Sequence, residues 1–179
     1  MRWLWVVLVV LSLGACARQE PREQAAPEPS QQATGLRVAF STLMSSTRDI
    51  GVRTNEEVLL RWKDEAKVLE TKLADLPERS DMDQMELEVV RAFVARIDAA
   101  LAVKSLQGQV EAAVKKATGR TSLDRAAMDR ERSRLRESDA TFKAMDDRLA
   151  VADRRYTDAS NRLAQAMDAH ARLAAGAKA

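Results

Sequence analysis

One cysteine and one histidine stand in 179 residues, so disulfide frameworks and Cys/His zinc sites are excluded by counting. Aromatic residues make up only 4% of the chain. Beyond Trp3 and Trp5 they are Phe40, Trp62, Phe93, Phe142 and Tyr156, which leaves Leu, Val, Met and Ala to fill any core and argues against a thick one. Four prolines and six glycines leave long stretches without a helix breaker. A formal charge of +2 gives no dominant sign, which weakens nucleic-acid binding despite the many arginines. The sequence offers no GxSxG elbow, no glycine-rich phosphate loop and no metal-ligand spacing. It therefore gives no sign of an enzyme, a cofactor or a metal.

Hydrophobic residues account for 46% of the chain and charged residues for 31%, the balance of a folded, helix-rich protein. Arg2 precedes an eleven-residue run, residues 3–13, of which ten are strongly apolar. That is the length of a signal-peptide core and well short of the roughly 20 residues of a membrane-spanning helix.

The residues Leu13-Gly14-Ala15-Cys16 that close this run resemble the lipobox of bacterial lipoproteins. The resemblance implies that residues 1–15 are removed, that Cys16 carries lipid (palmitate among its acyl chains), and that the chain is held to a membrane. By the sorting rule of such lipoproteins, Ala17 after the cysteine directs the protein to the outer membrane, facing the periplasm. Lys178 and the helical pattern resemble the murein lipoproteins, whose terminal Lys is joined to peptidoglycan, although here Ala179 follows.

Residues 16–35 hold Pro21, Pro27 and Pro29 among Gln, Glu, Ala and Arg, a composition that reads as a disordered tether. Its random-coil reach is about 25 Å.

From residue 36 onward Pro77 and Gly119 divide the chain into helices expected over about 36–76, 81–118 and 122–175. The first shows Leu59, Trp62, Ala66, Leu69, Leu73 and Leu76 at alternating steps of three and four. Ser80 and Gly119 suit the two ends of the second. In the third, Leu135, Ser138, Phe142, Met145, Leu149, Ala152, Tyr156, Ala159, Leu163, Ala166, His170 and Leu173 keep the alternation unbroken. A repeat near 3.5 residues winds neighbours into a left-handed supercoil. The fold class expected is all-α: an elongated antiparallel three-helix coiled-coil bundle with an extended C-terminal helix.

Two irregularities interrupt this pattern. The first stripe does not run cleanly back past Gly51 into a Ser- and Thr-rich stretch. In the second helix Val90, Val94, Ile97 and Leu101 share one face while Val103, Leu106, Val110 and Val114, around Gly108, lie nearly opposite. Gly51 and Gly108 fall at similar height from the turn near Glu78. The breaks read either as local imperfection or as a hinge.

Helix-length arithmetic leaves residues 160–175 projecting about 24 Å past the other two helices. Leu163, Met167, His170 and Leu173 are then candidate contacts for a partner helix or a second copy. Residues 115–136 carry eight Lys or Arg against three acids, and residues 75–88 carry six acids against Arg79. In the three-helix arrangement the tether enters at the basic end. Asp146 and Asp147, adjacent on a helix, read as surface charge.

The function expected is a lipid-anchored periplasmic scaffold or adaptor that presents a coiled-coil surface to an envelope protein or the cell wall. The alternative is a ligand-responsive sensor or carrier module, with a pocket among Leu43, Ile50, Leu106 and Val110. Its partners are the membrane, through Cys16, and a protein or second copy, through the C-terminal helix. Peptidoglycan would lie nearby.

Overall fold

Pro29 opens the first helix, where its missing N–H costs nothing and its fixed φ is already helical. The computed structural model describes residues 29–46 and 51–177. Five helices follow in order: α1 (Pro29–Ser46), α2 (Glu56–Ala74), α3 (Asp81–Thr118), α4 (Arg125–Ser138) and α5 (Ala140–Gly176). The leader, Cys16, Ile50 and Lys178 lie outside the described residues. Residues 29–35, expected as part of the tether, are helical.

The all-α class holds, but the three expected helices are five. Between α1 and α2 the Ser/Thr/Asn-rich stretch turns instead of continuing. Gly51 N–H donates to Thr54 Oγ1 at 3.1 Å, Thr54 N–H donates to Gly51 O at 3.0 Å, and Asn55 Oδ1 accepts the Glu57 N–H at 3.0 Å as the cap of α2. Short polar side chains thus satisfy backbone groups that a helix would otherwise hold. At the second break Asp139 leaves the helical region at φ −130°, ψ 108°, and its Oδ1 accepts the N–H groups of Thr141 at 2.9 Å and Phe142 at 3.0 Å. One aspartate ends α4 and starts α5.

The ends of α3 fall at residues 81 and 118, while α2 stops at Ala74 and α4 starts at Arg125 behind its cap Asp124. Ser80 and Asp83 form a capping box at the start of α3, and Gly119, at φ 65°, ends it in the left-handed conformation that favours glycine.

Two cores lie along α3 and α5, which run antiparallel: Glu86 faces His170 and Arg96 faces Tyr156. The first core takes Phe40 and Leu43 from α1, Leu59, Ala66, Leu69 and Leu73 from α2, residues of α3 from Leu87 to Ala100, and Leu163 from α5. It is a four-helix core. The second takes Val103, Val110 and Val114 from α3 and Phe142, Leu149 and Ala152 from α5, closed by Leu123, Met128 and Leu135. It is a three-helix core. The switch of apolar face along α3 records this change: its first half meets α1 and α2 as well as α5, its second half only α4 and α5. Both cores belong to one compact unit, Thr34–Ala179.

The turn at Gly51 reverses the chain, which overturns two expectations. Arg37 of α1 lies 3.4 Å from Asp83 near the start of α3, so the chain enters the bundle at its acidic end and not at the Gly119 turn. Residues 160–175 are not an uncovered overhang: the break at Asp139 leaves α5 level with α3, so that His170 lies 3.7 Å from Glu86 and Leu163 is buried in the four-helix core, and α1 adds Phe40, whose ring lies tilted 5.1 Å from that of His170. Gly51 and Gly108 do share one height, since Val52, Arg53 and Gly108 border the same surface hollow and Lys104 Nζ donates to Val52 O at 3.3 Å. Gly51 forms a reversal rather than a kink, and α3 runs uninterrupted through Gly108.

Candidate functional site

The end of the bundle formed by the α3–α4 turn concentrates positive charge. Lys115 and Lys116 occupy the last turn of α3, where cations oppose the negative end of the helix dipole. Arg120 lies in the turn, and Arg125 and Arg130 project from α4. None of these five makes an ion pair among the described residues, and all but the half-buried Lys115 are exposed. Of the nearby acids, Asp124 caps α4 by accepting the Ala127 N–H at 2.6 Å, and Glu131 pairs with Arg134 at 2.7 Å. Asp129 has no ion pair among the described residues, and with Glu111, which accepts from Gln107 at 3.3 Å, and Asp153 it sets three acids around the adjoining cleft.

Beside this end α3, α4 and α5 enclose an open cleft of about 670 Å³. Val110 and Leu149 form its buried floor and Leu123 and Met128 its half-buried sides. Arg53 reaches the same cleft from the α1–α2 turn. The volume falls in the range of small-molecule pockets. Of the four residues expected to line a pocket, Val110 is here, Leu43 is sealed in the four-helix core, Leu106 packs against the three-helix core, and Ile50 lies outside the described residues.

The angle between α4 and α5 is held by charge. Asp146 is buried and accepts from Arg132 at 2.6 Å and from Arg136 at 2.5 Å, while Arg136 also reaches Asp147 at 2.5 Å. In one continuous helix Arg132 and Asp146 would be about 21 Å apart along the axis, so the bracket exists only because Asp139 breaks the helix. The two hydrogen-bonded carboxylates hold the Arg136 guanidinium above its ordinary pKa. Asp146, expected at the surface, is instead the hub of this bracket.

At the opposite end a second charged cluster seats α1. Asp83 accepts from the Ser80 hydroxyl at 2.6 Å and the Ser80 N–H at 2.9 Å, with Arg37 at 3.4 Å. Burial pushes this carboxyl up, but the Ser80 bonds and Arg37 outweigh it and hold Asp83 below the ordinary carboxylate range. One turn on, Glu86 is almost fully buried. Its Oε1 lies 3.7 Å from His170 Nε2, and its Oε2 has no hydrogen-bond partner among the described residues. Burial pushes the Glu86 carboxyl above its ordinary range, more than Arg37 and His170 pull it down, and Asp83 adds to the rise. The spacing of Ser80 and Asp83 suits a helix start, but nothing in the sequence marks the burial of Asp83 and Glu86, because an acidic residue in the first turns of a helix ordinarily serves the dipole from the surface.

The four C-terminal candidates separate. Leu163 is core, His170 and Leu173 are half-buried, and Met167 is exposed. Among the described residues no three His, Cys, Asp or Glu side chains converge as a metal site, and no helix is long and apolar enough to cross a membrane. Compared with known proteins, the chain matches no family model, no curated protein and no solved structure.

Proposed function

We propose that the chain is a lipid-anchored helical scaffold of a bacterial outer membrane, held through Cys16 and facing the periplasm, whose role is to present the basic end of its bundle to an envelope partner. The observation that carries this reading is the Leu13-Gly14-Ala15-Cys16 sequence closing an apolar run too short to span a bilayer. The architecture is consistent with it. The chain enters at the Asp83 end of α3, and that helix of 38 residues rises about 57 Å before it reaches the basic turn. The basic turn thus lies about 57 Å along the bundle from the end at which α1 enters. The C-terminal helix contributes Met167 as the one exposed member of its candidate partner surface. The role is binding, not catalysis.

Metabolic labelling of producing cells with radiolabelled palmitate tests the anchor. Label is expected in the wild-type chain and absent from the Cys16→Ser variant; an unlabelled wild type, or label that survives the substitution, overturns the reading.

A second reading rests on the cleft between α3, α4 and α5, whose volume and apolar floor suit a small ligand and favour a ligand-responsive or carrier module.

A further inference from the structure

We infer that the basic end of the bundle, at the α3–α4 turn, is a docking surface for an anionic lipid bilayer. The excess charge there is not consumed by the fold. Of the eight Lys and Arg within residues 115–136, Arg132 and Arg136 hold Asp146, and Arg134 pairs with Glu131. Lys115, Lys116, Arg120, Arg125 and Arg130 remain without an ion pair among the described residues.

A headgroup layer asks for no shape complementarity, only several mobile cations within a Debye length of its surface, each adding to the attraction. It also rewards apolar side chains set among those cations, since they pass below the headgroups. Here Leu123 and Met128 are packed against the three-helix core, so the attraction rests on the cations. A nucleic acid would use the same charges but gains from aromatic rings on which bases stack. In this half of the bundle the Phe142 ring is buried in the core and Tyr156 is engaged by Arg96, at 5.8 Å from the ring centre.

Docking itself does not depend on lipidation. It rests on the scaffold reading only for its setting, a chain anchored through Cys16.

The test uses the fragment of residues 29–179, which holds every residue of both cores and lacks Cys16, so that a failed anchor and a failed docking surface are told apart. It is sedimented with vesicles of phosphatidylcholine alone and with added phosphatidylglycerol, at low and high salt. Binding is expected only with phosphatidylglycerol, and salt should weaken it. Lys116→Glu, Arg120→Glu and Arg130→Glu together should reduce affinity on the order of a hundredfold or more. The same net change placed on α2 (Arg61→Glu, Lys67→Glu, Lys72→Glu) should leave most of it. Circular dichroism of both variants checks that the helices persist, and the salt and lipid dependence of the unmodified fragment stands as a readout independent of them. No binding, equal binding to both vesicles, equal losses in the two triple variants, or tighter binding to duplex DNA than to the anionic vesicles would each overturn the inference.

Discussion

Glu86 is the residue at which the chemistry of the fold is least comfortable. A carboxylate taken out of water is tolerated when opposite charge and hydrogen bonds replace its solvation, and here His170 and Arg37 do so only in part. Its raised pKa means that the folded state binds the proton more tightly than the unfolded chain. The stability Glu86 contributes is therefore complete below the unfolded value, about 4.3, and is lost as pH rises through the folded one. Asp83, with a lowered pKa, has the opposite sense: its contribution is complete above the unfolded value and lost as pH falls through the folded one. Replacing Glu86 by Gln removes the first effect alone. Thermal melts across pH should show Glu86→Gln gaining stability over the wild type at neutral pH, with the gain shrinking toward pH 4; a variant equally destabilised at every pH would mean that the carboxylate is well satisfied. The burial of neither acid could be picked out in the sequence, because it comes from α1 and α5 packing onto them and is not written in their spacing.

The helices whose ends carry glycine or a strong periodic stripe were legible, and those that end on a polar side chain were not. Leu59, Ala66, Leu69 and Leu73 repeat so regularly that the buried face of α2 follows from spacing alone, and all four are core. The stripe from Phe142 to Leu163 is equally faithful. The breaks at residues 51–55 and at Asp139 were missed or misread, since Ser, Thr, Asn and Asp are tolerated within helices as well as favoured at their ends, and only the folded chain decides between the two. Glycine gives a sharper contrast. Gly119, at φ 65°, holds a conformation that costs an L side chain about 1–2 kcal/mol, whereas Gly108 sits within α3 with open space where a Cβ would go. Gly119→Ala should lower stability by about 1 kcal/mol, and Gly108→Ala should raise it by roughly 0.5–1 kcal/mol. Urea unfolding of the two variants measures both signs, and a gain at residue 119 or a loss at residue 108 would contradict the cap and the uninterrupted helix respectively.

For the unit as a whole, the all-α class and the antiparallel run of α3 and α5 could be read from the sequence. The direction in which the chain enters could not. A third helix longer than the other two left a bare tail in the expected arrangement, but the break at Asp139 sets α5 level with α3, and the reversal at Gly51 makes a four-helix half in which Phe40 and Leu43 add to the cover. The candidate site fared likewise: its net positive charge was visible in the composition of residues 115–136, while the cleft and the bracket at Asp146 depend on how α4 folds back. One substitution tests the covered tail. Leu163, buried beneath α1, should cost about 2–5 kcal/mol when replaced by Ala. A value near zero in denaturant unfolding would restore the picture of a helix end standing alone.

The two edges of this unit lie on one side: Arg37 of α1 reaches Asp83, and α5 finishes six residues past His170, which faces Glu86. An affinity tag joined after α5 therefore crowds that side and leaves the cationic tip, made wholly of internal sequence, unobstructed for whatever it meets.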